Sequence, residues 1–187
     1  TGWTVVMRSR QLTYGVVGTH IGIAPAESIE ALAAFQGVRR RLEVRGTVGG
    51  VTVIDDFAHH PTAIATTIAG LRARMQAGSH PGGRLLAVLE PRSNTMRTGT
   101  LKAQLPGSLQ DADLVFCYAG GIDWDAQAAL APLGERVAVF RDMPALEPAI
   151  LAAARPGDQV LVMSNGGFGG IHGRLLAGLD SWEGNGK

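Results

Sequence analysis

Residues 51–64, VTVIDDFAHHPTAI, place Asp55, Asp56, His59 and His60 within six positions, between a β-branched apolar run and what reads as a helix start. Three readings suit such a cluster. Carboxylates accept hydrogen bonds from ribose hydroxyls, and an imidazole with a pKa near neutrality can orient or deprotonate an amine. A metal ion needs three or four ligands, yet the only cysteine, Cys117, sits inside the apolar run DLVFCYAG as a small buried hydrophobe, and no third ligand is apparent. The third reading is an ordinary turn, in which the acids end a strand and His60 with Pro61 opens a helix. Spacing assigns Asp55 and His60 to the turn, and Asp56 and His59 to chemistry.

Two further stretches carry chemistry. EPRSNTMRTG, residues 90–99, gathers Arg92, Ser93, Asn94 and Arg97 in a segment without a helical period. The planar fork of arginine suits capture of a carboxylate or phosphate. SNGGFGGIHGRLL, residues 164–176, sets four glycines ahead of a helix, so Ser164, Asn165 and Gly166 begin a loop whose backbone N–H groups can face an anion. Its spacing matches neither G-x-G-x-x-G nor G-x-x-x-x-G-K-[ST]. A fourth cluster, RRRLE at 39–43, fits both a linker charge run and a phosphate contact across an interdomain cleft.

These loops need a scaffold that brings them together. RLLAVLE (84–90), DLVFCY (113–118), RVAVF (136–140) and QVLVMS (159–164) are short continuous apolar runs, the mark of strands buried on both faces of a parallel sheet. RLEVRGTVGGVTVID reads as two strands joined at a glycine turn. PTAIATTIAGLRARM, with Ile64, Ile68, Leu71 and Met75 at helical spacing, predicts a helix after Pro61, and further helices are expected over 100–110, 124–133, 143–154 and 171–179. The succession predicts an α/β fold with a Rossmann-like, doubly wound, mostly parallel sheet. Ligands of such sheets bind beyond the carboxyl ends of the strands, so the DDFAHHP, EPRSNTMRTG and SNGGFGG loops should share one edge. APAESIEALAAF (24–35) predicts a separate amphipathic helix bearing Ile29, Leu32, Ala33 and Phe35, and a boundary falls near residue 38.

Composition bounds the rest. The 187 residues carry a net charge of +1, 45% hydrophobic and 18% charged residues, which suits a globular protein with one principal core. Apart from Arg39, Arg40 and Arg41 the arginines are scattered and give no nucleic-acid footprint. With no long apolar run and no leader pattern, no membrane association is expected, and the cytoplasm is the expected compartment.

Taken in order, GVRRRLEVRG, VIDDFAHHPTAIATTI, LAVLEPRSNTMR and VLVMSNGGFGGIHGRLL resemble the C-terminal part of the Mur ligase family over residues 36–180, with residues 18–35 similar to the end of that family's central ATPase domain. The resemblance implies residues 1–38 as a remnant of that central domain and 39–187 as the C-terminal domain of a three-domain bacterial enzyme of cell-wall recycling. In that chemistry ATP, with Mg2+, phosphorylates the carboxylate of UDP-N-acetylmuramate, and an amine attacks the acyl phosphate to form an amide. The second and third loops favour the branch that accepts the tripeptide L-Ala-γ-D-Glu-meso-diaminopimelate over the branch that adds L-alanine. Carried over by position, Arg41 reaches ATP, Asp56 contacts its ribose, and His59 positions the incoming amine or takes its proton. Phe57 stands beside the substrate where the alanine branch has tyrosine. Arg92, Ser93, Asn94 and Arg97 receive peptide carboxylates, and Ser164, Asn165 and Gly166 shape the far side of that site. The nucleotide and its metal belong mainly to domains other than this one, so the chain is expected to be inactive alone. A non-catalytic Rossmann-like binding module is the alternative from a different class.

Overall fold

The structure is a computed structural model that describes residues 20, 22–34, 39–78 and 82–184. Two compact units divide the chain, residues 1–38 and 39–187. In the first, the expected helix forms as α1, Pro25–Ala34, where Ile29 is 40% exposed. Phe35 and the side chains of Leu32 and Ala33 lie outside the described residues.

The second unit opens with a hairpin, β1 (Glu43–Val48) and β2 (Val51–Asp56), paired antiparallel. Gly49 and Gly50 both have positive φ, +59° and +73°, which a tight hairpin turn requires and glycine adopts without a Cβ clash. β2 then leads into α2 (Pro61–Ala77), which His60 caps by accepting from the Thr62 N–H while Pro61 occupies the first turn. Ile64, Ile68, Leu71 and Met75 are all buried along this helix, as their spacing predicts. The chain continues through β3 (Leu85–Leu89), β4 (Leu114–Tyr118), β5 (Val137–Phe140), α6 (Met143–Ala153), β6 (Gln159–Met163) and α7 (Ile171–Gly184). Between β3 and β4 lie α3 (Asn94–Arg97) and α4 (Leu105–Leu109), and α5 (Ala126–Leu130) precedes β5.

The six strands lie in the order β1-β2-β6-β3-β4-β5, and every neighbouring pair except β1 and β2 is parallel. Alternation along β3 shows why the sheet is covered twice. Leu85, Ala87 and Leu89 join one core with Ile64, Ile68 and Leu71 of α2, whereas Leu86 and Val88 join another with Leu146 and Ile150 of α6 and Ile171 and Leu175 of α7. The sheet is therefore doubly wound, with a core on each face.

Two expected helices are shorter than their periods suggested. Residues 102–104 form a 3-10 turn and the α-helix restarts at Leu105, because Pro106 lacks the N–H that would continue the ladder. After Leu130 the chain tightens into a 3-10 segment interrupted by Gly134 at φ +62°. Conversely, EPRSNTMRTG, read as irregular, contains the single turn α3 and reverses at Gly99, φ +75°.

Candidate functional site

β6 pairs with β2 on one side and β3 on the other, with Asp56 opposite Met163 and Leu89 opposite Met163. The carboxyl ends of these three strands are therefore level, and the three chemically unusual loops rise from one edge. The helix that follows β2 packs on one face of the sheet and the helix that follows β6 on the other, which opens a crevice where the connections diverge. Ser164 joins the loops at its centre. Its N–H donates to the Asp56 carbonyl, its hydroxyl makes a short hydrogen bond to the Glu90 carboxylate, and it accepts from the Gly166 N–H at 2.9 Å.

In the β2 loop the Asp56 carboxylate is buried, 2% exposed, and engaged from within the domain. It accepts from the Leu42 and Ala58 N–H groups at 2.8 Å each and from the Thr67 hydroxyl at 3.3 Å, with the Arg41 guanidinium 3.8 Å away. Its first task is thus to hold the Arg41–Leu42 backbone against the end of β2. Asp55, assigned to the turn, is equally buried and sits between Arg40 (3.2 Å) and His172 (3.3 Å). Burial holds the His172 imidazole below its ordinary pKa, reinforced by Arg45 and Arg40 and opposed by Asp55. Phe57 presents its ring to Arg40 and Arg41, whose guanidinium carbons lie 5.1 and 5.8 Å from its centroid.

His59 packs edge-on against Phe57, and its Nδ1 lies 2.9 Å from the Phe57 carbonyl. A carbonyl only accepts, so Nδ1 carries the proton in that bond and the neutral ring leaves its Nε2 lone pair available. The arrangement can orient an amine or accept its proton. Arg41 keeps a half-exposed side chain, open to an anion.

Between the β3 and β4 loops lies a cleft of about 270 Å³, lined by Glu90, Pro91, Arg92 and Arg97 on one side and Tyr118, Gly120, Gly121 and Ile122 on the other. Two guanidiniums face one carboxylate here, and that carboxylate already accepts from Ser164. The excess positive charge favours an acidic ligand. Arg97 is steadied by donating from Nε to the Gly121 carbonyl at 3.0 Å, and the Trp124 indole donates to the Met96 carbonyl at 2.7 Å, so the β4 loop buttresses α3. Arg92 lies directly against Gly166, where any Cβ would come within 2.2 Å of its Nη1. Ser93 precedes α3 with no side-chain cap bond and Asn94 is exposed; neither lines the cleft. Asn165 has a buried Oδ1 without a hydrogen-bond partner.

The structure thus brings Arg92 and Arg97 into one cleft, links it through Ser164 to the Asp56 loop, and leaves Ser93 and Asn94 at its margin. Glu90 and Tyr118 line the cleft without belonging to any of the predicted site residues, and Arg40 enters the sequence pattern only as one of three consecutive arginines. Glu90 carried a usable signal, a charge at the end of an all-apolar strand. For Arg40, in a run of three arginines, spacing offered none. Among the described residues no group of three or more His, Cys, Asp or Glu side chains could hold a metal ion, and no helix is long and apolar enough to cross a membrane.

The UDP-N-acetylmuramate–L-alanyl-γ-D-glutamyl-meso-2,6-diaminoheptandioate ligase of Escherichia coli is 48% identical over 86% of this chain and 34% of its own length. The ligase of the same name from Haemophilus influenzae is 42% identical over 84% of this chain and 34% of its own length. The crystal structure of a murein peptide ligase from Psychrobacter arcticus superposes with a TM-score of 0.68 at 36% identity, covering 91% of this chain and 36% of that one. The chain therefore spans about a third of the length of the curated relatives it matches. Residues 40–166, which contain the hairpin, the cleft arginines and the Ser164 junction, match the family described as Mur ligase, glutamate ligase domain. With that match over most of the second unit, the chain belongs to the Mur ligase family.

Proposed function

We propose that this chain is the peptide-binding C-terminal domain of an ATP-dependent ligase that joins UDP-N-acetylmuramate to L-alanyl-γ-D-glutamyl-meso-diaminopimelate, with residues 1–38 the end of its central domain. The observation that carries this is the arginine-rich cleft at the sheet edge, next to the Ser164 junction, in a chain whose relatives are named for that ligation. Arg92 and Arg97 bind carboxylates of the peptide, with Ser93 and Asn94 at the mouth and Ser164, Asn165 and Gly166 forming the far wall. His59 receives the amine through Nε2, because Nδ1 is committed to the Phe57 carbonyl. Phe57 supplies an apolar face where a hydroxyl would compete for that amine.

ATP supplies the phosphate that turns a carboxylate into an electrophile. The half-exposed guanidinium of Arg41 suits a phosphate oxygen. Asp56 reaches a ribose hydroxyl only by sharing a carboxylate that already has internal donors, so its contribution to nucleotide binding is chiefly to fix Arg41. Magnesium is assigned to the triphosphate and to the part of the protein that corresponds to the relatives' remaining length. A soluble cytoplasmic enzyme is the corresponding setting.

The test is ligation by the full-length protein with ATP, UDP-N-acetylmuramate and a panel containing the tripeptide and free L-alanine. Tripeptide-dependent release of phosphate supports the reading. Turnover with alanine alone assigns the alanine-adding branch, and absence of both with retained tripeptide binding assigns a non-catalytic module. This chain by itself should hydrolyse no ATP.

A further inference from the structure

Arg40 and Leu42 flank Arg41, and both have φ in the left-handed region, 56° and 48°. For residues with a Cβ this conformation is strained, and glycine would avoid the strain. Something must hold them there. The Leu42 N–H is bound by Asp56. Arg40 is held at both ends of its backbone, donating from N to the Glu43 carboxylate at 2.7 Å and accepting at its carbonyl from the Phe57 N–H at 2.9 Å.

The Arg40 side chain turns inward. Its Nε lies 3.2 Å from Asp55 Oδ2, and its Nη2 donates to the carbonyls of Ser164 at 2.6 Å and Gly166 at 2.9 Å. One guanidinium thereby ties the end of β2 to a loop more than a hundred positions away in sequence. That loop carries the Ser164 hydroxyl that bonds Glu90 and the Gly166 surface on which Arg92 rests. Arg41, by contrast, points outward with its side chain 49% exposed. We infer that Arg40 is a positioning residue, whose guanidinium fixes the direction of the Arg41 side chain and holds the Ser164–Gly166 loop against the cleft arginines. The nucleotide-facing arm and the peptide cleft are then set by one side chain. The structural half of this stands on the contacts alone, and its kinetic consequence rests on the ligase reading above. Lysine cannot substitute, because a single ammonium lacks the fork that spans a carboxylate and two carbonyls at once.

The test uses Arg40→Gly and Arg40→Lys. Glycine relieves the backbone strain, so a residue that mattered only for the turn would leave this chain as stable or more so, with the distant loop unchanged. The expectation is instead that amide exchange at Gly166, whose N–H bonds the Ser164 hydroxyl, accelerates by about tenfold or more in both variants, the equivalent of one lost charge-assisted hydrogen bond. In the full-length protein the KM for tripeptide and for ATP should both rise about tenfold, and lysine should restore neither. Wild-type exchange at Gly166 in the folded variants overturns the inference. A KM change for one substrate alone overturns the coupling of the two. Should glycine prevent folding, the lysine variant decides. Should the wild-type protein prove not to be a ligase, the exchange measurement still decides the structural half.

Discussion

Gly166→Ala separates stability from recognition. A Cβ at this position would lie 2.2 Å from Arg92 Nη1 and 2.7 Å from its Cδ and Cζ. The backbone is no obstacle, because Gly166 is not among the residues with positive φ. What must yield is an exposed, flexible side chain, and alanine also restricts the unfolded chain, so stability should change by less than about 1 kcal/mol. Recognition should suffer more. Displacing Arg92 from the cleft removes a charge-assisted contact worth about 1.5–3 kcal/mol, which is a loss of roughly 10- to 150-fold in affinity. Isothermal calorimetry with the tripeptide reads the affinity, and thermal unfolding reads the stability. Gly167→Ala is the control, since its added Cβ meets nothing within 4 Å and its φ is −78°. Unchanged tripeptide affinity in Gly166→Ala would refute the assignment of Arg92 to the peptide, and an equal loss in Gly167→Ala would refute the steric argument.

Other perturbations probe the scaffold. Gly99→Ala places a Cβ 2.7 Å from Trp124 Cδ1 at φ +75°, so strain and overpacking should together cost about 2–4 kcal/mol, visible as a lowered melting temperature. Asp56→Asn turns an amide NH2 toward one of two backbone donors now 2.8 Å from a carboxylate, and urea denaturation should show a loss of about 2 kcal/mol. An unaltered midpoint would mean that the carboxylate serves a ligand instead of the fold. His172 has a depressed folded pKa, so its contribution is fully present above the unfolded value near 6.5 and is lost as pH falls through the folded one. His172→Gln should therefore flatten the decline in urea midpoint between about pH 7 and about pH 5. Burial pushes the Cys117 thiol up to about 12, so in the folded protein it should resist alkylation at pH 8 and react once urea unfolds the domain.

Much of this protein was legible from local pattern. Continuous apolar runs at β3, β4, β5 and β6, each too short for a helix of ordinary length, read as strands packed on both faces, because a strand facing water would alternate. Gly49 and Gly50 between two such segments dictate a hairpin, and His60-Pro61 ahead of Ile64 and Ile68 dictates a helix start. These are short-range steric and hydrogen-bonding effects, and the common edge of the three loops follows once the elements they make are wound into a parallel sheet. Local pattern misjudged the length of the helices near Pro106 and Gly134, where a missing donor and a left-handed turn override the apolar period.

Tertiary structure alone decided what each charged side chain does. In DDFAHHP spacing reserves Asp56 and His59 for chemistry, yet the Asp56 carboxylate is taken up by the Leu42 and Ala58 N–H groups and His59 has its Nδ1 tied back to Phe57, while Asp55, expected only to build the turn, is buried between Arg40 and His172. The choice between Arg40 turned inward and Arg41 turned outward depends on carbonyls at Ser164 and Gly166, which come within reach only because β6 inserts between β2 and β3. Periodicity reports which face of an element is apolar; it holds no information about which distant loop supplies an acceptor. Apolar patterning sets the strands, their common edge and the chemistry gathered there, and strand order settles which of those groups remain free to meet a ligand.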